Sequence, residues 1–179
     1  MKHTPLINTS SGPIYGLDLD DINVFLAIPY AKAPINELRF APPQPASWEE
    51  SRDCTQPGTL APQMPSRLAA VLGDQQTLEQ SEDCLHLSIW APSSITEKEQ
   101  QKPVLIWIHG GAWMTGGASL DWYDGEHLAK TGDMVVINVN YRLGPLGWLY
   151  VPEQTANAGL QDLAQATEWI KENVHLFGG

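Results

Sequence analysis

The chain has 179 residues, 42% of them hydrophobic and 8% aromatic, which is enough to bury one core. Ten basic side chains against 21 acidic ones give a net charge of −11, a balance that disfavours nucleic acid or an anionic membrane as partner. Met1 to Ser11 holds one lysine and no apolar signal region, and no stretch approaches the ~20 apolar residues of a membrane span, so a cytoplasmic protein is expected.

In chain order, residues 12–28 read as a Gly-punctuated hairpin in which Ile22, Val24, Leu26 and Ile28 share one strand face. A Pro-rich, irregular stretch runs from Pro29 to about Pro65, and residues 66–82 are polar and weakly helical. Leu85, Leu87 and Ile89 alternate with His86, Ser88 and Trp90, which predicts a strand with one wetter face; residues 93–102 read as a surface turn. Core strands follow at 103–108 and 134–140. The first has the continuous apolar run Val104–Ile108 of a strand covered on both faces. Between them lies a short helix, 125–131, that Gly132 terminates. The last helix starts at Asn157 as N-cap, stops at Gly178, and sets Leu160, Leu163, Thr167, Ile170 and Val174 on one face. Strand, crossover, strand and helix open an α/β sheet.

Directly after the strand comes His109–Gly110–Gly111–Ala112–Trp113. A glycine pair there lets the backbone turn sharply and lie bare beside a ligand, which is how the His-Gly-Gly loops of lipases and esterases supply an oxyanion-hole amide. No G-x-S-x-G nucleophile elbow occurs in the 179 residues. Gly117–Ala118–Ser119 has a glycine two before a serine but lacks the second glycine and the strand-to-helix setting, so Ser119 is not expected to be a nucleophile. His109 is expected to hold the loop by hydrogen bonding, and His127 to be solvated. Asp18, Asp20 and Asp21 lack the spacing of a calcium loop. Cys54 and Cys84 match no zinc pattern and the five histidines include no H-x-x-x-H pair, so no metal and no cofactor are expected.

Four stretches together resemble the type-B carboxylesterase and cholinesterase-like family of α/β-hydrolases. They are FLAIPYAKAP at 25–34 with RFAPPQP at 39–45, SEDCLHLSIWAP at 81–92, IWIHGGAW at 106–113, and NYRLGPLGW at 140–148 followed by NAGLQDL at 157–163. Order and spacing are similar to the family's from about Thr9 to Gly179, and bacterial members are the nearest. The resemblance implies an α/β fold, the N-terminal portion of an α/β-hydrolase: a small β-hairpin plus the first strands and helices of a central mixed sheet. It implies one partial domain, 1–179, that stops before the nucleophile elbow.

By the same resemblance the backbone amides of Gly111 and Ala112 are oxyanion donors, Gly110 shapes the turn, and a third donor follows the nucleophile. Ala112 stands where many members have glycine, a mild departure because only the main-chain N–H is used. Arg39 with Glu82 and Arg142 with Asp162 are implied as structural ion pairs. Trp113 and Trp122 stand either as lining of an acyl or alcohol pocket or as packing. Residues 64–81 contain no Phe, Trp or Tyr, so the aromatic that holds choline in cholinesterases has no counterpart there. The family's C-x-Q cysteine is Ala61 here, and Cys54 lies seven positions too early to replace it as partner of Cys84, so two free thiols are expected. The substrate implied is a small carboxylic ester. With no catalytic triad in the chain, the expectation is no activity alone, either as a truncated product or as one piece completed by a second, C-terminal chain. A non-catalytic interaction domain is the reading from another class.

Overall fold

The computed structural model describes residues 2–66, 71, 78–93, 101–150, 152 and 156–179. Most of the weakly helical stretch expected at 66–82, and most of the turn expected at 93–102, lie outside the described residues.

The N-terminal 18 residues form four short strands: β1 (Lys2–His3), β2 (Ile7–Asn8), β3 (Pro13–Tyr15) and β4 (Leu17–Asp18). A turn with Asp20 in the left-handed region (φ 63°) joins β4 to β5 (Ile22–Pro29), completing the expected hairpin in the register Leu17 opposite Val24. After β6 (Arg52–Asp53) come β7 (His86–Pro92), β8 (Val104–Ile108) and β9 (Val135–Val139). The main sheet runs β1-β4-β5-β7-β9-β8, antiparallel up to β9 and parallel between β9 and β8, while β2, β3 and β6 form a second small sheet. The helices are α1 (Glu126–Gly132), α2 (Gly144–Trp148) and α3 (Ala158–Asn173). The parallel β8–β9 pair is joined through α1, the crossover that a parallel connection requires.

The sheet is packed on two sides, and the pleat of β7 and β9 sorts their side chains between them. Leu87, Ile89, Ala91, Val135, Ile137 and Val139 face the larger cluster, which α3 closes with Ala166, Trp169 and Ile170. Trp90 and Val136 face the smaller one, closed by Ala129 of α1.

Four local expectations need correction. The stripe Ile22, Val24, Leu26, Ile28 does not stay on one face. A bulge between Phe25 and Ile28, with Ala27 at φ 54°, inserts a residue, so Ile28 joins Phe25 in the larger cluster while Ile22 and Val24 stay in the smaller one. Second, β7 has no wet face. His86, Ser88 and Trp90 are buried because segment 57–60 and α1 cover that side, and the His86 imidazole meets the Thr59 carbonyl at 2.9 Å. Third, β8 is the sheet edge and is not covered on both faces; Ile108 is 50% exposed and Ile106 and Trp107 are exposed beside it. Fourth, the expected face of α3 holds only in part. Ile170 is buried and Leu163 and Val174 pack against the larger cluster, but Leu160 is 55% exposed and Thr167 is exposed, whereas Asp162, Ala166, Trp169 and Asn173 beside them are buried. Two of these carry polar groups that hydropathy spacing counts as surface: Asp162 is paired with Arg142, and Asn173 accepts the Ser10 N–H at 2.7 Å.

Helix ends differ by a residue or a mechanism. Asp133, at φ 46°, terminates α1 one position after Gly132. Asn157 sits at the N-cap of α3 in the left-handed region, without a side-chain cap bond. A short 3₁₀ turn, Val174–Phe177, follows α3, and Gly178 at φ 85° ends it.

Candidate active site

Between β8 and α1 the chain forms a loop whose conformation is dictated residue by residue. Gly111 has φ 118°, Ala112 54° and Trp113 59°, three successive residues in a region that L side chains rarely adopt. At Gly111 a Cβ would lie 2.0 Å from the Thr115 carbonyl oxygen, so only glycine fits. Gly110 is different: nothing lies within 4 Å of where its Cβ would be, so open space adjoins it.

Peptide planarity converts these carbonyl contacts into amide directions. All peptide bonds in the described chain are trans, so each N–H points opposite to the carbonyl of its own peptide group. The Gly110 carbonyl turns inward and accepts from His109 Nδ1 at 2.9 Å, which directs the Gly111 N–H away from the interior. The Gly111 carbonyl accepts the N–H of Met114 at 3.0 Å and of Thr115 at 3.1 Å, which directs the Ala112 N–H away from that turn. Among the described residues neither amide has a hydrogen-bond partner.

The loop is held at both ends. At its entry the Tyr141 hydroxyl donates to the His109 carbonyl at 2.9 Å and the two rings stack at 4.5 Å. In its middle the Gly144 N–H donates to the Trp113 carbonyl at 2.7 Å. At its exit Gln63 pairs with the backbone of Gly116, accepting its N–H and donating to its carbonyl, each at 2.7 Å, and the Ala118 N–H donates to Asn140 Oδ1 at 3.0 Å. Gln63 and Asn140 had no role in the sequence reading. The only signals were the position of Gln63 in the Ala61–Pro62–Gln63 run and of Asn140 at the head of NYRLGPLGW.

Trp113 is 59% exposed and packs against Trp148 at 5.1 Å between ring centroids. Trp122 lies elsewhere, in a recess of about 160 Å³ with Leu105, Trp107, Tyr123 and Leu128. His127 is exposed. Cys54 and Cys84 are buried free cysteines; burial pushes the Cys54 thiol up to about 12 and raises that of Cys84 as well, so neither is a ready nucleophile.

Arg142 and Asp162 pair with 2% and 0% side-chain exposure. Asp162 accepts Arg142 Nη2 at 2.7 Å, Nε at 2.9 Å and the Arg142 backbone N–H at 3.1 Å. Burial raises the Asp162 carboxyl, and these three donors from Arg142 oppose that rise. The third guanidinium nitrogen, Nη1, donates to the carbonyls of Arg39 and Ala41 at 3.0 and 2.9 Å. One side chain thus ties α3, the segment after β9 and the Pro-rich stretch together. Arg39 Nε meets Glu82 at 2.5 Å with 42% and 27% exposure.

Burial lowers the imidazoles of His86 and His109. In each the one bonded nitrogen faces a backbone carbonyl and must carry the proton, so the remaining nitrogens, His86 Nδ1 and His109 Nε2, are bare and have no partner among the described residues. A proton added there would be buried without compensation. The folded value lies below the unfolded one near 6.5, so this stability is complete well above that pH and is lost as pH falls through it. Urea unfolding at pH 7.5 and 5.5 is expected to show that decline for both histidines; a flat profile would contradict it.

A mixed sheet whose parallel pair opens into a loop of bare amides defines an α/β protein of the α/β-hydrolase class. The chain belongs to the carboxylesterase family, whose model matches residues 3–179. It is 38% identical to para-nitrobenzyl esterase of Bacillus subtilis (strain 168) over 97% of this chain and 36% of that protein, and 38% identical to carboxylesterase 3 of Homo sapiens over 98% of this chain and 32% of that one. A solved thermophilic PNB esterase superposes with a TM-score of 0.89 at 38% identity, covering 97% of this chain and 36% of its own. The chain therefore spans about a third of the length of the curated relatives it matches.

Proposed function

We propose that this chain supplies the oxyanion-hole loop of a serine carboxylesterase acting on small carboxylic esters. The observation that carries the reading is the pair of amides at Gly111 and Ala112, without a partner among the described residues and each turned opposite to a carbonyl fixed by hydrogen bonds, next to open space at Gly110. Preorganised donors of this kind stabilise the tetrahedral oxyanion of acyl transfer, each contributing about 10²–10³ in rate. Trp113 stands beside them as an apolar wall. The 179 residues hold no G-x-S-x-G, so in this reading the nucleophile, its base and the orienting acid lie outside these residues. The three act as a unit, and an oxyanion loop without them has no covalent route.

The test is hydrolysis of p-nitrophenyl acetate and butyrate. The purified chain is expected to remain at the background of buffer and inert protein, and to gain activity when mixed with a separately expressed C-terminal piece of a related esterase. Turnover by the lone chain that disappears in Ser119→Ala would overturn the reading.

A further inference from the structure

We propose that Gln63 is a positioning residue for the amides of Gly111 and Ala112, acting through Gly116; the proposal rests on the oxyanion reading of those amides. Consecutive left-handed residues such as Ala112 and Trp113 persist only where the surroundings over-determine them. The holds from Tyr141, Gly144 and Asn140 all come from the segment directly after β9. Gln63 brings a different part of the chain, the bridge in which Leu60 pairs with Gln80. Its side-chain amide forms two 2.7 Å bonds with the Gly116 peptide groups, one as donor and one as acceptor, which fixes the orientation of Gly116 as well as its position. Gln63 is held in turn: its N–H donates to Gln80 Oε1 at 2.9 Å and its Nε2 to the Ala61 carbonyl at 3.0 Å.

Gly116 lies directly against the peptide that sets the first amide. A Cβ on it would be 2.4 Å from His109 Nδ1 and 2.7 Å from the Gly110 carbonyl oxygen, the two atoms whose hydrogen bond turns that carbonyl inward. Because the Gly110 carbonyl and the Gly111 N–H belong to one planar group, a displaced Gly116 lets both rotate. The coupling therefore runs from Gln63 to Gly116, to the Gly110 carbonyl, and to the Gly111 N–H. Gln63 touches neither oxyanion amide itself.

Amide ¹H–¹⁵N spectra and hydrogen exchange on the 179-residue chain test this with Gln63→Leu, which keeps bulk and removes both bonds. Gly116 is expected to exchange at least about tenfold faster, as for one lost hydrogen bond. The signals of Gly111 and Ala112 are expected to shift or broaden, while Ile137 and Val139 of β9 keep their exchange rates. Gln63→Glu, whose ionised carboxylate still accepts the Gly116 N–H but has nothing to donate to its carbonyl, is expected to show a smaller change of the same kind, and it carries the test if the leucine variant does not fold. Loss of protection at Gly116 with Gly111 and Ala112 unmoved would overturn the proposal, and so would faster exchange spread equally through β9, which would make Gln63 a residue of general stability. Failure of the ester-hydrolysis complementation would remove the oxyanion reading but leave these spectra unchanged, so the two failures are distinguishable.

Discussion

Arg142→Met is expected to cost about 3–5 kcal/mol of folding free energy, a large share of the roughly 5–15 kcal/mol that holds a typical domain folded. The substitution leaves the Asp162 carboxylate with no counter-charge at 0% exposure, and strips the carbonyls of Arg39 and Ala41 of their donor. It also releases α3 from the Pro-rich stretch, so the loss should appear as a cooperative fall in the urea midpoint. Glu82→Gln is the contrasting variant. Its partner Arg39 is 42% exposed, solvent screens the pair, and the expected cost is about 0–1 kcal/mol. Equal costs for the two substitutions would refute the assignment of the stabilising role to burial. Arg142→Met combined with Asp162→Leu is expected to recover part of the loss, because the uncompensated charge is removed with its partner.

Gly111→Ala is expected to destabilise the chain by at least about 2 kcal/mol, or roughly 4–8 °C in Tm for a chain of this size. The methyl group would meet the Thr115 carbonyl oxygen at 2.0 Å on a backbone already at φ 118°, and that neighbour is main chain with no side-chain rotamer to yield. The turn whose carbonyl orients the Ala112 amide would have to open. Gly110→Ala, one residue earlier, is expected to leave Tm almost unchanged, since its methyl would enter open space. Thermal unfolding of the two variants separates a glycine required by the fold from one required only by what approaches the loop. A large loss at Gly110, or none at Gly111, would contradict the loop geometry.

The elements were legible in proportion to how local their causes are. Continuous β-branched runs mark β9, and alternation marks β7, because a strand's own side chains write its period. The His-Gly-Gly turn was legible for the same reason, since a residue at φ 118° has to be glycine whatever surrounds it. The Arg142–Asp162 pair was implied only by the NYRLGPLGW and NAGLQDL stretches; their twenty-residue separation carries no local signal.

What the sequence determined by itself is therefore the class of the sheet, the family and the place of the His-Gly-Gly turn, each encoded in short runs of adjacent residues. The tertiary structure decided the rest. The bulge at Ala27 moved Ile28 to the other face, and the edge position of β8 exposed an apolar run that reads as interior. The inward side of α3 was set by a buried Asp162 and Asn173 that hydropathy assigns to solvent. Gln63 reaches the loop across 53 residues, and such a contact is invisible in one dimension because a side-chain amide shows its partners only once two distant segments are packed together.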